Sequence, residues 1–406
     1  MHKVGIIGGG AAGLMAAITL KTAEPNLSVT VFERLDRVGK KIAVTGNGRC
    51  NISNRNISLD NYHGKNKSFA EYALSAFDVT KTQEFFKSIG VIFKEEAGGK
   101  LFPYSLQASS VTDALRFEAA RLNIEILTEQ CIEKIKPTEK GYILNGSHEL
   151  NFDAVIVACG GIAGGKLGSE LGYKLLGELS HSRTALEPAI VQVKTDNTCT
   201  RSLKGVKVIS EVTVKSGGGK SYRDFGEVLF CDYGLSGPPI MQLSRHMKKG
   251  DRIFLDLMPE YSKSELTKML TARANKFTSC GEFFCGMLQS RLGQTVLKIC
   301  GFSINDTTNF SEKDINRIAE TIKAMPFNFT DRMGFAAAQV THGGINTNEF
   351  NDRTLMSKRH KGLFACGELL DIDGDCGGYN LQWAWSSGYV AALGCKQYLE
   401  GKQCCR

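Results

Sequence analysis

Lys3-Val4-Gly5-Ile6-Ile7-Gly8-Gly9-Gly10-Ala11-Ala12-Gly13-Leu14-Met15-Ala16-Ala17-Ile18 decides how the rest of this chain is read. The apolar run from Lys3 to Ile7 stops at glycines, as a buried strand does. Leu14, Met15, Ala17 and Ile18 then recur at helical spacing to about Thr22, Pro25-Asn26 breaks the helix, and Ser28–Phe32 alternates as a second strand. This is a βαβ unit whose first turn spells G-x-G-x-x-G. Gly8 permits the tight turn, Gly10 lets a pyrophosphate approach the backbone, and Gly13 lets helix pack on strand. The amides at the helix N-terminus and its partial positive charge serve the phosphates. Glu33 stands 20 residues past Gly13, at the end of the second strand, where an acid takes a ribose hydroxyl. A dinucleotide is the expected ligand, and the motif alone does not choose between NAD and FAD.

Outward from this unit, residues 34–66 are polar, rich in Gly and Asn, and too long for an idle connection. Lys40-Lys41-Ile42-Ala43-Val44-Thr45-Gly46-Asn47-Gly48-Arg49-Cys50-Asn51 sets three cations among glycines, the make-up of a loop lying on a pyrophosphate or along a flavin. A plain solvated loop carries the same letters. Helices are expected around Ser68–Ala76 and Thr80–Ile89, and a hairpin from Val91–Phe93 and Lys100–Phe102. Ser110 with Asp113 reads as a capping box opening a helix to about Leu122. Strands follow near Ile124–Leu127, Cys131–Ile135, Tyr142–Leu144 and Ala154–Ala158. After Pro188 the period is mostly two as far as Leu257, with Gly217-Gly218-Gly219 as a turn. From Ser262 to Ala324 it is helical, with Ser311 and Asp314 as a cap. Strand-and-turn text returns at Gly343, and a final helix begins at Tyr379. The expected division is 1–189, 190–258 (β-rich insert), 259–329 (helical insert) and 330–406.

Composition narrows the function classes. The 406 residues, 42% hydrophobic and 23% charged, exclude a disordered or fibrous protein and suit two or three domains. A net charge of +8, spread along the chain, is no nucleic-acid footprint, so no nucleic-acid partner is expected. Thirteen cysteines without short regular spacings suit a reducing, cytoplasmic location. Val4–Leu20 is too short and too broken by glycine for a membrane span or a signal peptide, so no membrane partner is expected. The seven histidines show no metal-ligand spacing, and no metal is expected. Gly160 to Lys166 nearly spells a P-loop, but Leu167 stands where a Ser or Thr must meet magnesium. Cys280 and Cys285 lie far from the glycine-rich unit, which argues against a dithiol relay.

Several stretches together resemble one family: the 40–51 loop, Val155–Gly161, Gly226–Phe230, Tyr233–Pro238, and Gly367-Glu368 through Asp371 to Gly378-Tyr379-Asn380-Leu381-Gln382-Trp383. It is that of the bacterial NAD(P)/FAD-dependent, aminoacetone-oxidase-like oxidoreductases, which includes the BaiN-type dehydro-bile-acid reductases. The resemblance covers about half the chain, and the stretch Gly377–Ala384 is its most specific part. It implies an α/β fold, a glutathione-reductase-like Rossmann FAD-binding domain interrupted by a β-barrel-like domain and a small helical domain.

Carried over residue by residue, the resemblance implies that Gly8, Gly10, Ala12 and Gly13 cradle the pyrophosphate. Glu33 takes the adenosine ribose, with Arg34 another cofactor-binding position, and Ile132, in the matching strand, meets the adenine through its backbone. Lys41, Thr45, Gly46, Gly48, Arg49 and Cys50 line the flavin side. Gly160 and Gly161 pass close to the cofactor, and Gly367 and Glu368 reach the ribityl chain. Gly378, Asn380, Leu381 and Gln382 sit by the isoalloxazine. The chain departs from the family at Ala158-Cys159-Gly160, where members read Ala-Thr-Gly, and in a turn at Gly168–Gly172 that is one residue shorter.

A helix beginning at Gly378 would bring positive potential to a flavin without an ionisable catalyst. Candidate proton donors are Tyr379, Tyr104 and His342. No second glycine-rich βαβ unit of comparable quality exists for NAD(P)H, so NADH, NADPH and oxygen all stay open as the second redox partner, as does the oligomeric state. The expected activity is hydride transfer between FAD and a small, largely apolar substrate: a conjugated enone such as a dehydro-bile acid, or an amine. A flavoprotein that modifies RNA and a flavin-binding sensor are the alternatives.

Overall fold

The computed structural model describes residues 1–145 and 149–403. The chain divides into two units, Met1–Glu187 with Gln339–Arg406, and Pro188–Ala338.

The first unit is built on β1 (Lys3–Ile7), β2 (Ser28–Phe32), β3 (Glu125–Leu127), β4 (Ala154–Val157) and β5 (Leu363–Ala365), in the sheet order β5-β4-β1-β2-β3. Every neighbouring pair is parallel, so Val4 lies opposite Val29 on one side and Ala154 on the other. Ala154 to Val157 are wholly buried. A parallel strand covered on both faces reads as an unbroken apolar run, as Ala154–Val157 does. Helix α1 (Ala11–Ala23) is buried from Ala12 to Leu20. Its small residues let the last helix, Tyr379–Gln403, come so near that a β-carbon at Gly388 would overlap the Ala12 carbonyl. That closeness holds the start of α1 and the last helix as one block.

The second unit is a closed barrel in the order Val193–Thr195, Gly234–Ser236, Ser221–Cys231, Lys207–Lys215, Arg252–Asp256 and Met325–Arg332. Closure leaves no open sheet edge. Val212, Val214, Val228, Phe230, Ile253, Leu255 and Phe327 fill one hydrophobic cluster together with Leu266, Leu270, Val296, Ile315 and Ile318 of the helices Lys263–Lys276, Ser290–Ile299 and Glu312–Lys323. The β-rich stretch 190–258 and the helical stretch 259–329 therefore share one core. Ser311 caps its helix by accepting the Asp314 N–H, as the sequence predicts, and Ser262 does the same for Glu265.

Three local readings change. The helix expected from Ser110 begins at Ala108 with Gln107 as its N-cap, and Ser110 instead accepts a hydrogen bond from the Ser105 hydroxyl (2.9 Å). The strand expected at Cys131–Ile135 spans Lys134–Pro137, which leaves Ile132 in the preceding coil with its side chain buried. The loop after Gly39 opens with a short helix, Lys40–Val44. Among the described residues, no helix is long and apolar enough to cross a membrane, and no group of acids, histidines and cysteines could hold a metal ion.

Candidate functional site

Where β1 ends, the chain turns beside β4. Gly8 has φ 108°, and a β-carbon there would stand 2.5 Å from the Ala158 carbonyl oxygen, so only glycine makes this turn. A β-carbon at Gly13 would overlap the Gly8 carbonyl, which is how closely α1 sits on its strand. Gly10 is different: it is the N-cap of α1 at an ordinary φ of −82°, and a β-carbon there would meet nothing within 4 Å. Gly160 faces similar space. The first amides of α1, which no intrahelical carbonyl can take, therefore head an open cradle.

Glu33 closes one end of that cradle. Its two oxygens accept the Gly9 and Leu35 N–H groups, each at 2.9 Å, which fixes the carboxylate at the tip of β2. Gln130 donates its N–H to the Glu33 carbonyl (2.9 Å), so the coil carrying Ile132 runs alongside. Arg34 is occupied otherwise. Its guanidinium donates to the carbonyls of Lys166 (2.8 Å) and Gly168 (2.9 Å) and clamps the shortened turn.

Four distant segments meet at Glu368. Lys41 Nζ lies 2.6 Å from Oε2, and the Thr341 N–H donates to Oε1 at 2.8 Å. Thr341 Oγ1 accepts the Ala163 N–H (3.0 Å), and a β-carbon at Gly161 would stand 2.7 Å from Glu368 Oε1. Gly367, at φ 75°, lies against Ala12, and its carbonyl accepts the Trp383 indole N–H at 3.0 Å. Gly367, next to the ion pair, thereby joins the Gly-rich cradle to the last helix.

The loop Thr45–Gly48 has positive φ at Gly46, Asn47 and Gly48, and again at Cys50. Thr45 donates its hydroxyl to the Ile42 carbonyl (2.7 Å), and its own carbonyl accepts the Cys50 N–H (3.0 Å). Burial pushes the Cys50 thiol up to about 12, with the Thr45 hydrogen bond acting weakly the other way. Cys50 is thus a closed-in thiol with almost no thiolate near neutrality. Iodoacetamide applied to the native protein at neutral pH should leave Cys50 unmodified while the exposed Cys131 and Cys285 react, as read by peptide mass spectrometry. Early labelling of Cys50 would show that the loop opens. Arg49 turns to the neighbouring hairpin, where it pairs with Glu96 (3.1 Å) and covers the Phe102 ring at 4.5 Å.

At the last helix, Gly378 has φ 104° and packs onto the Ser53 backbone. Asn380 accepts the Gly374 N–H and donates to the Gly374 carbonyl, both at 2.8 Å, folding the turn Asp371–Asp375 against the start of the helix. Leu381 is half-buried. Gln382 is fully enclosed. Its Oε1 accepts the Ser53 (2.5 Å) and Thr82 (3.1 Å) hydroxyls, and its Nε2 donates to the Phe77 carbonyl and to Ser386, both at 2.9 Å. Its side-chain amide is therefore a structural hub, engaged by protein at both its oxygen and its nitrogen.

The three expected proton donors fall in different surroundings. Tyr104 is 68% exposed. Tyr379 is buried against Tyr62 with ring centroids 6.3 Å apart, and burial, helped by Asp375, pushes its phenol above the ordinary value. His342 Nδ1 lies 2.7 Å from Asp373 Oδ1. Burial also pushes the adjacent Asp371 carboxyl up, opposed by the Lys65 N–H and by His342.

Gly8, Gly10, Ala12, Gly13, Glu33, Lys41, Gly160, Gly161, Gly367 and Glu368 thus form one connected set. Gly46 and Gly378 form a second, joined through Asn51, with Thr45, Gly48 and Cys50 in the same turn. The side chains of Arg34, Arg49 and Gln382 are committed to protein, and Tyr104 stands apart. Two members went unread in the sequence, Thr341 and Asp373; the alternating acids of Asp371-Ile372-Asp373-Gly374-Asp375 were the visible signal for Asp373, and Thr341 had none. The residues fit FAD. Space at Gly10 and Gly160 that side chains would fill, in front of a helix N-terminus and with an anchored carboxylate at one end, suits a dinucleotide pyrophosphate and ribose.

Comparison with known proteins agrees with this geometry. Residues 2–394 match the family described as HI0933-like protein Rossmann domain. The chain is 36% identical over 402 residues to a 3-dehydro-bile acid delta(4,6)-reductase of Clostridium scindens, covering 96% of this chain and 98% of that protein. It is 29% identical over 398 residues to a ribosomal RNA dihydrouridine synthase of Haemophilus influenzae, covering 96% and 97%. An E. coli quinol fumarate reductase FrdA structure shares the fold with a TM-score of 0.50, at 16% identity over 98% of this chain and 71% of that one. A Rossmann FAD-binding fold, a cradle shaped for a dinucleotide and a match along nearly the whole chain converge: the chain belongs to the HI0933-like Rossmann family and is a flavoprotein oxidoreductase.

Proposed function

We propose that this protein is an FAD-dependent reductase of carbon–carbon double bonds conjugated to a carbonyl. The observation that carries the reading is the dinucleotide cradle in a chain 36% identical to a protein named as a reductase of 3-dehydro-bile acids. A 3-oxo steroid unsaturated at positions 4 and 6 is a conjugated enone. The uracil double bond lost in making dihydrouridine is likewise conjugated to a carbonyl, so the two relatives' names describe one kind of reduction on two scaffolds. When bound, FAD supplies a hydride with its electron pair. In this reading the residues from Gly8 to Gly13 hold the pyrophosphate, Glu33 the adenosine ribose, and Lys41 with Glu368 the ribityl side. The start of the last helix lends positive potential. A small apolar enone is the first substrate class, and NADH or NADPH, bound transiently, is the electron source.

RNA is the second reading, and a specific observation favours it besides the Haemophilus relative. The unit Pro188–Ala338 holds 21 Lys and Arg against 15 Asp and Glu, so six of the chain's eight excess positive charges sit there. The charge is therefore not evenly spread, and the expectation of no nucleic-acid partner loses its basis.

The test is anaerobic. The FAD-loaded protein is reduced, then mixed with a 3-oxo-4-ene steroid or with unmodified ribosomal RNA transcript, and the return of the visible flavin band is followed. Stoichiometric reoxidation by the steroid supports the first reading. Reoxidation by the transcript but not the steroid supports the second. Reoxidation by neither contradicts both.

A further inference from the structure

We propose that His342 donates the proton that completes this reduction and that Asp373 positions it. The inference rests on the enone-reductase reading, which leaves the source of that proton unassigned.

The place of His342 follows from its neighbours. Thr341, immediately before it, is built into the cradle wall through Glu368 and Ala163. Asp373 lies in the turn that Asn380 ties to the start of the last helix, and it pairs across the backbone with His63. The His342–Asp373 pair thus lies between the Glu368 side of the cradle and the start of the last helix. Its exposure is lopsided: the Asp373 side chain is 1% exposed and the His342 side chain 41%. The carboxylate anchors the ring from behind through Nδ1, which leaves Nε2 on the side away from Asp373. A buried carboxylate on Nδ1 fixes the orientation and tautomer of an imidazole and stabilises its protonated form. Asp371, whose carboxyl feels the charge of His342, adds a further acid nearby. The rival donors are worse placed. Tyr104 lies out in solvent, and the Tyr379 phenol gives up its proton less readily than usual.

The step balances. The β-carbon of the enone takes the hydride and its electron pair, with reduced FAD as the two-electron donor. The π pair of the double bond then forms a C–H bond at the α-carbon with the proton leaving His342 Nε2. The N–H bonding pair stays on the ring, and the neutral imidazole regains a proton from water. Asp373 changes neither bonds nor charge; it is a positioning residue.

The experiment uses the FAD-loaded protein and the variants His342→Gln, His342→Gly and Asp373→Asn. Readouts are FAD content, complete bleaching by dithionite, reoxidation by cyclohex-2-enone, the steroid or the RNA transcript, and the imidazole nitrogen NMR signals of His342. His342→Gln should keep its FAD and bleach fully, yet be reoxidised about 100-fold more slowly. Added imidazole should restore at least about 10-fold to His342→Gly. Asp373→Asn should slow reoxidation at least about 10-fold and move the His342 ring signals toward the other tautomer. Wild-type reoxidation rates in His342→Gln overturn the proposal. So does an Asp373→Asn variant that is slow while its His342 signals stay unchanged, since that would be a purely structural effect. If the reduced wild-type protein is reoxidised by none of the three acceptors, the enone-reductase reading itself falls and takes this inference with it.

Discussion

Gly10→Val should give a folded protein that purifies without colour. A β-carbon at Gly10 meets no atom within 4 Å, and a φ of −82° suits any residue, so neither packing nor backbone opposes the substitution. The isopropyl group would instead fill the space in front of the α1 amides that the pyrophosphate needs. Hydrogen bonds to a charged group contribute about 1.5–3 kcal/mol each. Losing them should weaken FAD binding by at least about 100-fold, which corresponds to roughly 2.7 kcal/mol. FAD titration into the apoprotein, with circular dichroism as the check on folding, measures this. Gly13→Val is the contrasting case: its β-carbon would overlap the Gly8 carbonyl, so that variant should lose the fold itself. A Gly10→Val protein that binds FAD like wild type would place the pyrophosphate elsewhere.

Gln382→Glu should cost the most stability for the least change in shape. The Gln382 Nε2 donates to the Phe77 carbonyl, an acceptor that a carboxylate oxygen would face without a proton between them. Breaking a buried, satisfied polar network in this way costs about 3–5 kcal/mol. The sign with pH follows from linkage. Enclosure raises the folded-state pKa of the new carboxyl above its unfolded value of ~4.3. Between those two values the unfolded state holds fewer protons than the folded one, so stability falls as pH rises by about 1.4 kcal/mol per unit. The loss relative to wild type should be large at pH ~7 and shrink as pH approaches ~4.3. Urea titrations of both proteins across that range test it; a penalty independent of pH would mean that the side chain reaches solvent.

Much of the fold was legible because its signals are local. The run Lys3–Ile7, the glycines after it, the alternation at Ser28–Phe32 and the cap at Ser311 each need only a few neighbouring residues to be read. What was illegible is long-range. Nothing near Lys41 announces that its partner is Glu368, 327 positions away, or that the strand at Leu363–Ala365 joins the sheet beside Ala154–Val157. The partners of the arginine side chains were illegible for the same reason. Arg34 and Arg49 stand in loops where phosphate ligands occur, but carbonyls and a glutamate already hold them. The enclosure of the Gln382 side chain was illegible for another reason: its place near the start of a helix says nothing about which face it occupies. The charge became informative only when it could be divided between structural units.

In the proposed reading the cradle from Gly8 to Gly13, with Glu33, holds the adenine-dinucleotide form of flavin. Denaturing the purified yellow protein and identifying the released chromophore by chromatography tests it directly. FAD, close to one per chain, is the expected result. FMN, or a colourless protein that takes up no added FAD, would contradict it.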